Sequence, residues 1–232
     1  MKSILTSYMK ERMERQERKK IQKEPGPVVT ISRSFGCPAK IVAQNLCTAV
    51  NKKLGLSKTV QHWRWISKEI LEESAKELKI DKQMIREASG AEERSVMDDL
   101  IMSLSKKFYP GDAKVKKTIR DIVMSFAGDG RVIIVGRAGV SITRDVKNSL
   151  HIRLTAPIEW RAEMVSKMQN ISLNEAKKKI LDVDYKRGKL REFFEGCKPD
   201  NSVFDLICNF QTMTEEEILG MIIKVMELRK ML

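Results

Sequence analysis

The chain has 232 residues, is 42% apolar and 32% charged, and carries a formal net charge of +13. That length suits one α/β domain or a core with a small inserted lobe, and the balance argues against a disordered chain. No apolar run approaches the roughly 18 residues of a helical membrane span, and the charge asks for an anionic partner, nucleotide or nucleic acid.

Residues 1–24 read as a polar, charge-mixed helix, stopped by Pro25-Gly26-Pro27. This arm either packs on a partner subunit or stays solvated. Met1 to Lys10 lack a secretory apolar core, so a cytoplasmic address is expected. Residues 28–32 form a short buried strand. Pro38 can open a helix, because its missing N–H falls in the first turn. Ile41, Val42, Leu46 and Val50 carry the apolar face of that helix to Leu54. Strand, small polar turn and helix make the shape of a phosphate-binding loop, with amides and a helix N-terminus facing an anion. The Walker A spacing is absent: only Gly36 and Lys40 remain, and Ile41 stands where a hydroxyl is wanted.

Residues 60–127 read as largely helical, with apolar periodicity through Ile66, Ile70, Leu71 and Leu78, then Met97, Leu100, Ile101 and Leu104. Breaks fall near Ser89-Gly90 and at Pro110-Gly111. A further helix through Ile119, Ile122, Val123 and Phe126 should end before Gly128. Trp63-Arg64-Trp65 fits packing at the junction of this helical insert, with base stacking as the alternative. The Val132–Val135 run is continuous and β-branched, as in a strand buried on both faces. Leu150–Leu154 is a third strand and Phe204–Cys208 a fourth. Pro157–Met168 and Leu173 to about Phe194 are helices, and Thr214 with Glu217 forms a capping box that starts the last one. Strands separated by helices imply an α/β fold with a mostly parallel sheet. Ligands then lie outside the strand C-termini, where the turns at Ser32–Ala39, Gly136–Ala138 and Thr155–Pro157 open together.

The four cysteines are irregularly spaced, which disfavours a disulfide or zinc framework; no metal-ligand set is read. Cys37 fills a turn, or has its thiol activated by the helix dipole. His62 and His151 have no partner at catalytic spacing. Cations that could hold phosphate oxygens are Arg33 and Lys40 beside the glycine turn, Arg137 after the second strand, and Arg161 on the following helix. Asp184, Arg187 and Arg191 are spaced i, i+3, i+7 on one helix face, where a carboxylate can orient guanidinium forks. An exposed, salt-bridged helix face is the plainer reading of that spacing, as a tight turn is of Gly136-Arg137.

Together these segments resemble the cytidylate kinase-like family, a branch of the P-loop nucleoside monophosphate kinases. Ile31-Ser32-Arg33-Ser34-Phe35-Gly36 resembles the family's I-S-R-x-[FY]-G opening, and Val132 to Gly139 its V-I-V-G-R-G-A turn. Leu150 to Arg161 resembles L-H-V-x-L-x-A-P-x-E-x-R. Asp184-x-x-Arg187 is similar to the lid's D-x-x-R, and Phe204 to Asn209 to Y-D-L-x-x-N. The resemblance implies a P-loop NTPase-type three-layer α/β/α fold with a helical inserted lobe. Its core would span residues 25–60 and 128–232, a nucleoside monophosphate-binding insert about 61–127, and a lid about 170–195. It implies transfer of the ATP γ-phosphoryl group to CMP, dCMP or a related nucleotide, with Mg²⁺, by a monomer or homodimer without nucleic acid or membrane. By analogy Ser32, Arg33, Ser34, Phe35, Gly36, Cys37, Pro38, Ala39 and Lys40 cradle donor phosphates, and Asn209 lies near the donor base. Arg137, Lys68 and Arg161 bind the acceptor. Asp184 and Arg187, with Arg191, close over the transferred group. The family's Gly-Ser-Gly-Gly turn is here Gly36-Cys37-Pro38-Ala39, Pro38 removes one donor, and Ala138 and Ser67 replace common aspartates. These departures raise a second reading, a nucleotide-binding regulator without turnover, and the basic surface raises a third and weaker one, a protein that binds nucleic acid.

Overall fold

A computed structural model describes residues 26–55, 62–67 and 111–232. Five strands lie among them: β1 (Val28–Arg33), β2 (Arg64–Ile66), β3 (Val132–Val135), β4 (Ser149–Thr155) and β5 (Leu206–Asn209). They form one sheet in the order β2-β3-β1-β4-β5, with every pair parallel. The helices are α1 (Ala39–Leu54), α2 (Gly111–Asp129), α3 (Gly139–Ile142), α4 (Ile158–Gln169), α5 (Leu173–Glu195) and α6 (Glu215–Leu228).

A parallel sheet must be covered on both faces. Val29, Ile31, Leu150, Ile152 and Leu154 are fully buried on one face, against Val42, Leu46 and Val50 of α1 and Ile218, Ile222 and Met226 of α6. On the other face Val28, Val132 and Ile134 meet Ile119, Ile122 and Phe126 of α2, Ile142 of α3, and Leu190 and Phe194 from the end of α5. A third cluster joins Phe35 of the β1–α1 turn to Ala162 and Val165 of α4 and Ala176 and Ile180 of α5. The α/β/α layering and the parallel sheet agree with the sequence reading.

Three elements differ from expectation. Residues 64–66 are an edge strand, not helix; they pair with β3 while Trp63, 2% exposed, is pinned by Asn51, whose Oδ1 accepts the Trp63 N–H at 2.7 Å. Trp63 is buried in the core and the Arg64 guanidinium lies 5.2 Å from the Phe126 ring, while residues 68–110 of the expected insert fall outside the described residues. Helix α2 runs through Gly128 to Asp129, and β5 begins at Leu206, two residues later than predicted, because Phe204 turns inward instead of joining the ladder. The arm 1–24 and the helical periodicity from Ile70 to Leu104 fall outside the described residues. Capping boxes start both α5 (Ser172 with Glu175) and α6 (Thr214 with Glu217). Among the described residues no helix is long and apolar enough to cross a membrane.

Candidate functional site

All five strands point their C-terminal ends the same way, so the turns after β1, β3 and β4 do gather at one edge. The turn after β1 is built by local bonds. The Ser34 N–H donates to Leu154 O at 2.9 Å, Cys37 N–H to Ser34 O at 3.2 Å, and Ala39 N–H to Cys37 O at 2.9 Å. Gly36 sits at φ +96°, where only glycine is relaxed, and a Cβ there would lie 3.1 Å from Arg161 Cβ. Pro38 is the N-cap of α1 and offers no side-chain cap.

Helix α5 reaches this turn through Asp184. Its carboxylate accepts the Phe35 N–H at 2.7 Å and the Arg161 Nη1 at 2.6 Å. Arg161 also donates from Nε to Ala156 O at 2.9 Å and from Nη1 to Phe35 O at 3.1 Å, so it braces the turn. Arg187 lies one helical turn on, 3.9 Å from Asp184, and donates to Arg33 O at 3.3 Å with its guanidinium 5.4 Å from the Phe35 ring. A carboxylate held by an amide and two guanidinium groups occupies donors of the kind that recognise a phosphate oxygen. Four of the five non-proline amides from Ser34 to Ala39 are already bonded within the protein, leaving Gly36 as the exception. Guanidinium groups, rather than a ring of free amides, therefore supply most of the positive potential here.

Arg33 and Arg137 share the neighbouring turn. Gly136 N–H donates to Ile31 O at 3.0 Å, and a Cβ at Gly136 would come within 1.9 Å of Arg33 Nη1. Gly136, Arg137 and Ala138 all have positive φ (70°, 56° and 52°), two of them non-glycine. Such geometry costs about 1–3 kcal/mol per residue and is commonest where a site requires it.

Arg191 points elsewhere: its Nε donates to Glu195 at 3.0 Å and its Nη2 to Asp200 O at 2.6 Å. Lys40 is exposed on the first turn of α1, and Lys68 lies outside the described residues. Asn209 ends β5, its Oδ1 accepting the Gln211 N–H at 3.0 Å. The dipole-activated thiol is not found: burial pushes Cys37 up to about 11 against the pull of Arg161, so it fills the turn as a neutral thiol.

Sequence reasoning missed Arg153. It lies in β4 opposite Ser32, half-buried, with its guanidinium 5.6 Å from the Phe204 ring, which Arg191 approaches at 5.1 Å. Burial and then the Arg191 charge lower its pKa, while Asp184 pulls it up. A lone cation inside an apolar strand was the signal available.

The arrangement can bind and neutralise an anion bearing several negative oxygens. ATP suits these cations. Ile41 offers Mg²⁺ no oxygen, and among the described residues no group of three or more metal-binding side chains occurs. A Mg²⁺ ion commonly arrives on nucleotide phosphates with its own waters, and no step is derived through it.

A model of the cytidylate kinase-like family matches residues 28–212. A cytidylate kinase of Methanocaldococcus jannaschii is 27% identical over 134 residues, covering 56% of this chain and 75% of that protein. The crystal structure of an uncharacterized protein from Eubacterium ventriosum is similar at a TM-score of 0.61 and 18% identity, covering 87% of this chain and 98% of that one, a likeness of fold.

Proposed function

The chain belongs to the cytidylate kinase-like family, and on that footing we propose that it moves the γ-phosphoryl group of ATP to CMP, dCMP or a related nucleoside monophosphate. An oxygen of the acceptor phosphate forms the new O–P bond as the bond to the β,γ-bridging oxygen breaks, and ADP leaves. Such a step needs positioning and charge neutralisation and no covalent enzyme intermediate. Arg187 and Arg33 take the transferred group, Arg137 the acceptor phosphate, and Arg153 adds positive potential from β4. Arg161 and Asp184 position these groups by fixing the turn to the lid.

The observation that carries this reading is the docking of Asp184 and Arg187, from α5, onto the Ser34–Gly36 turn. A coupled assay across CMP, dCMP, UMP and AMP tests it. Turnover with a pyrimidine monophosphate, lost in Arg187→Ala, is expected; no turnover with any of the four removes the proposal. One observation favours a second reading: the amides of the phosphate turn are mostly spent within the protein. A nucleotide-binding regulator of the same fold would bind ATP in calorimetry yet transfer nothing.

A further inference from the structure

The opposite edge of the sheet carries a cleft that phosphoryl transfer does not use. It has a volume of about 510 Å³ and is lined by residues from four segments. Arg144 and Lys147 come from the connection between α3 and β4, Ser149 and His151 from the start of β4, Asp205 from just before β5, and Arg229 from the end of α6. Except for Arg229, which follows the last helix, these positions lie at an N-terminal strand end or the connection leading to it, away from the Ser34–Gly36 turn.

The wall of this cleft is built. His151, 6% exposed, has Nδ1 2.8 Å from Thr30 Oγ1 and Nε2 3.2 Å from Ser149 Oγ. Arg229 donates to Ser149 O at 2.6 Å and to Asp205 Oδ1 at 2.6 Å, while the other Asp205 oxygen accepts the His151 N–H at 2.7 Å. The Asp205 carboxylate is thereby committed. Asp145 also lines the cleft and is exposed, but among the described lining residues three cations face two carboxylates. Arg144 is exposed and makes no ion pair with any described residue.

We propose that this cleft is a second ligand site, separate from the phosphoryl-transfer site, for a phosphomonoester of nucleotide size. Arg144 and Lys147 supply the cations a phosphate requires, and the internally bonded Ser149–His151 wall gives the rest of the ligand a fixed surface to lie against. The volume falls within the range of about 300–1,000 Å³ usual for small-molecule sites. Binding here touches β4 at Ser149 and His151, the strand that carries Arg153 toward the other edge.

The chain has two histidines, and His62 is not part of the cleft. Imidazole NMR of the full chain, with His62→Gln to assign the signals, therefore reads this site alone. At about pH 7.5, above the ordinary histidine range, inorganic phosphate and CMP should each shift the His151 signal saturably, while cytidine should not. The exposed double variant Arg144→Ala/Lys147→Ala should weaken that binding at least about tenfold, or 1.4 kcal/mol. Arg187→Ala, at the other edge, should leave it unchanged. A His151 signal unmoved by phosphate to about 20 mM, well past a millimolar Kd, overturns the proposal. So does an equal response to cytidine, unchanged affinity in the double variant, or loss of the shift in Arg187→Ala.

Discussion

Strands β1 and β4 pair side by side and present faces of opposite character. On one face Val29, Ile31, Leu150, Ile152 and Leu154 have no exposure at all. On the other, the pleat lines up Thr30 with His151, Ser32 with Arg153, and Ser34 near Thr155. The first face is uniform and buys burial. The second is a polar ladder whose upper rungs lie beside the Ser34–Gly36 turn and whose lowest rung walls the cleft at the far edge. One pair of strands thus gives a wholly apolar face to α1 and α6 and, on the other side, a face that combines the buried Val28 and the Thr30–His151 bond with polar residues toward the turns, because alternate residues point to opposite faces.

Changes on the two faces should consequently be read by different measurements. The largest effect is expected at the ligand side. Arg187→Ala removes the cation proposed above to take the transferred group and should lower kcat/KM about 10³-fold, roughly 4 kcal/mol of transition-state stabilisation. Thermal unfolding should move little, since Arg187 is partly exposed and its bond to Arg33 O is long at 3.3 Å. A large loss of stability with modest loss of rate would break the division between faces. Ile152→Ala is the converse change. It opens a cavity among α1, α6 and the sheet and should cost about 2–5 kcal/mol in urea denaturation, with kcat of the folded fraction preserved.

Most of the apolar face was legible in the sequence, because strands such as Val132–Val135 and the α6 capping box are local patterns. The three residues of β2 were not: so short a strand shows no period, and its identity comes from pairing with β3. On the polar face, the i, i+3 spacing of Asp184 and Arg187 was readable, and the structure places them one turn apart on α5. What Asp184 meets was not readable, since its partner Phe35 N–H lies 149 residues away in sequence. Arg191 satisfied the same spacing, yet Glu195 one turn further holds it away from that turn. Arg153 was visible as a charge between Ile152 and Leu154, with His151 and Thr155 completing a polar alternation that an emphasis on apolar residues passed over.

Gly136→Ala should have an intermediate effect, and it tests where the two edges of the polar face join the turns. Holding alanine at φ +70° costs about 1–2 kcal/mol, and the new methyl also displaces the Arg33 guanidinium. A lowered melting temperature together with a raised KM for ATP is expected. Lower stability with an unaltered KM would remove Arg33 from the donor site.

The smallest effects belong to the lowest rung. Thr30→Val deletes the hydroxyl facing His151 Nδ1 and should cost about 1 kcal/mol, one buried hydrogen bond's worth. The same rung sets a pH dependence. Burial lowers the His151 pKa from its ordinary 6.5, against the pull of Asp205, so the folded state disfavours the imidazolium. The unfolded chain then binds more protons below about pH 6.5, and stability should fall as the pH is lowered through that range, by at most one proton's slope, about 1.4 kcal/mol per pH unit. Asp205 separates cleanly from this. Burial raises its carboxyl, but the Arg229 and His151 hydrogen bonds together bring it below 3.8, so its share of stability is lost only in stronger acid. Urea titrations from about pH 7.5 to pH 5 should therefore show a decline that His151→Gln abolishes. A decline of equal size in that variant would assign it to another group and leave the lowest rung electrostatically silent.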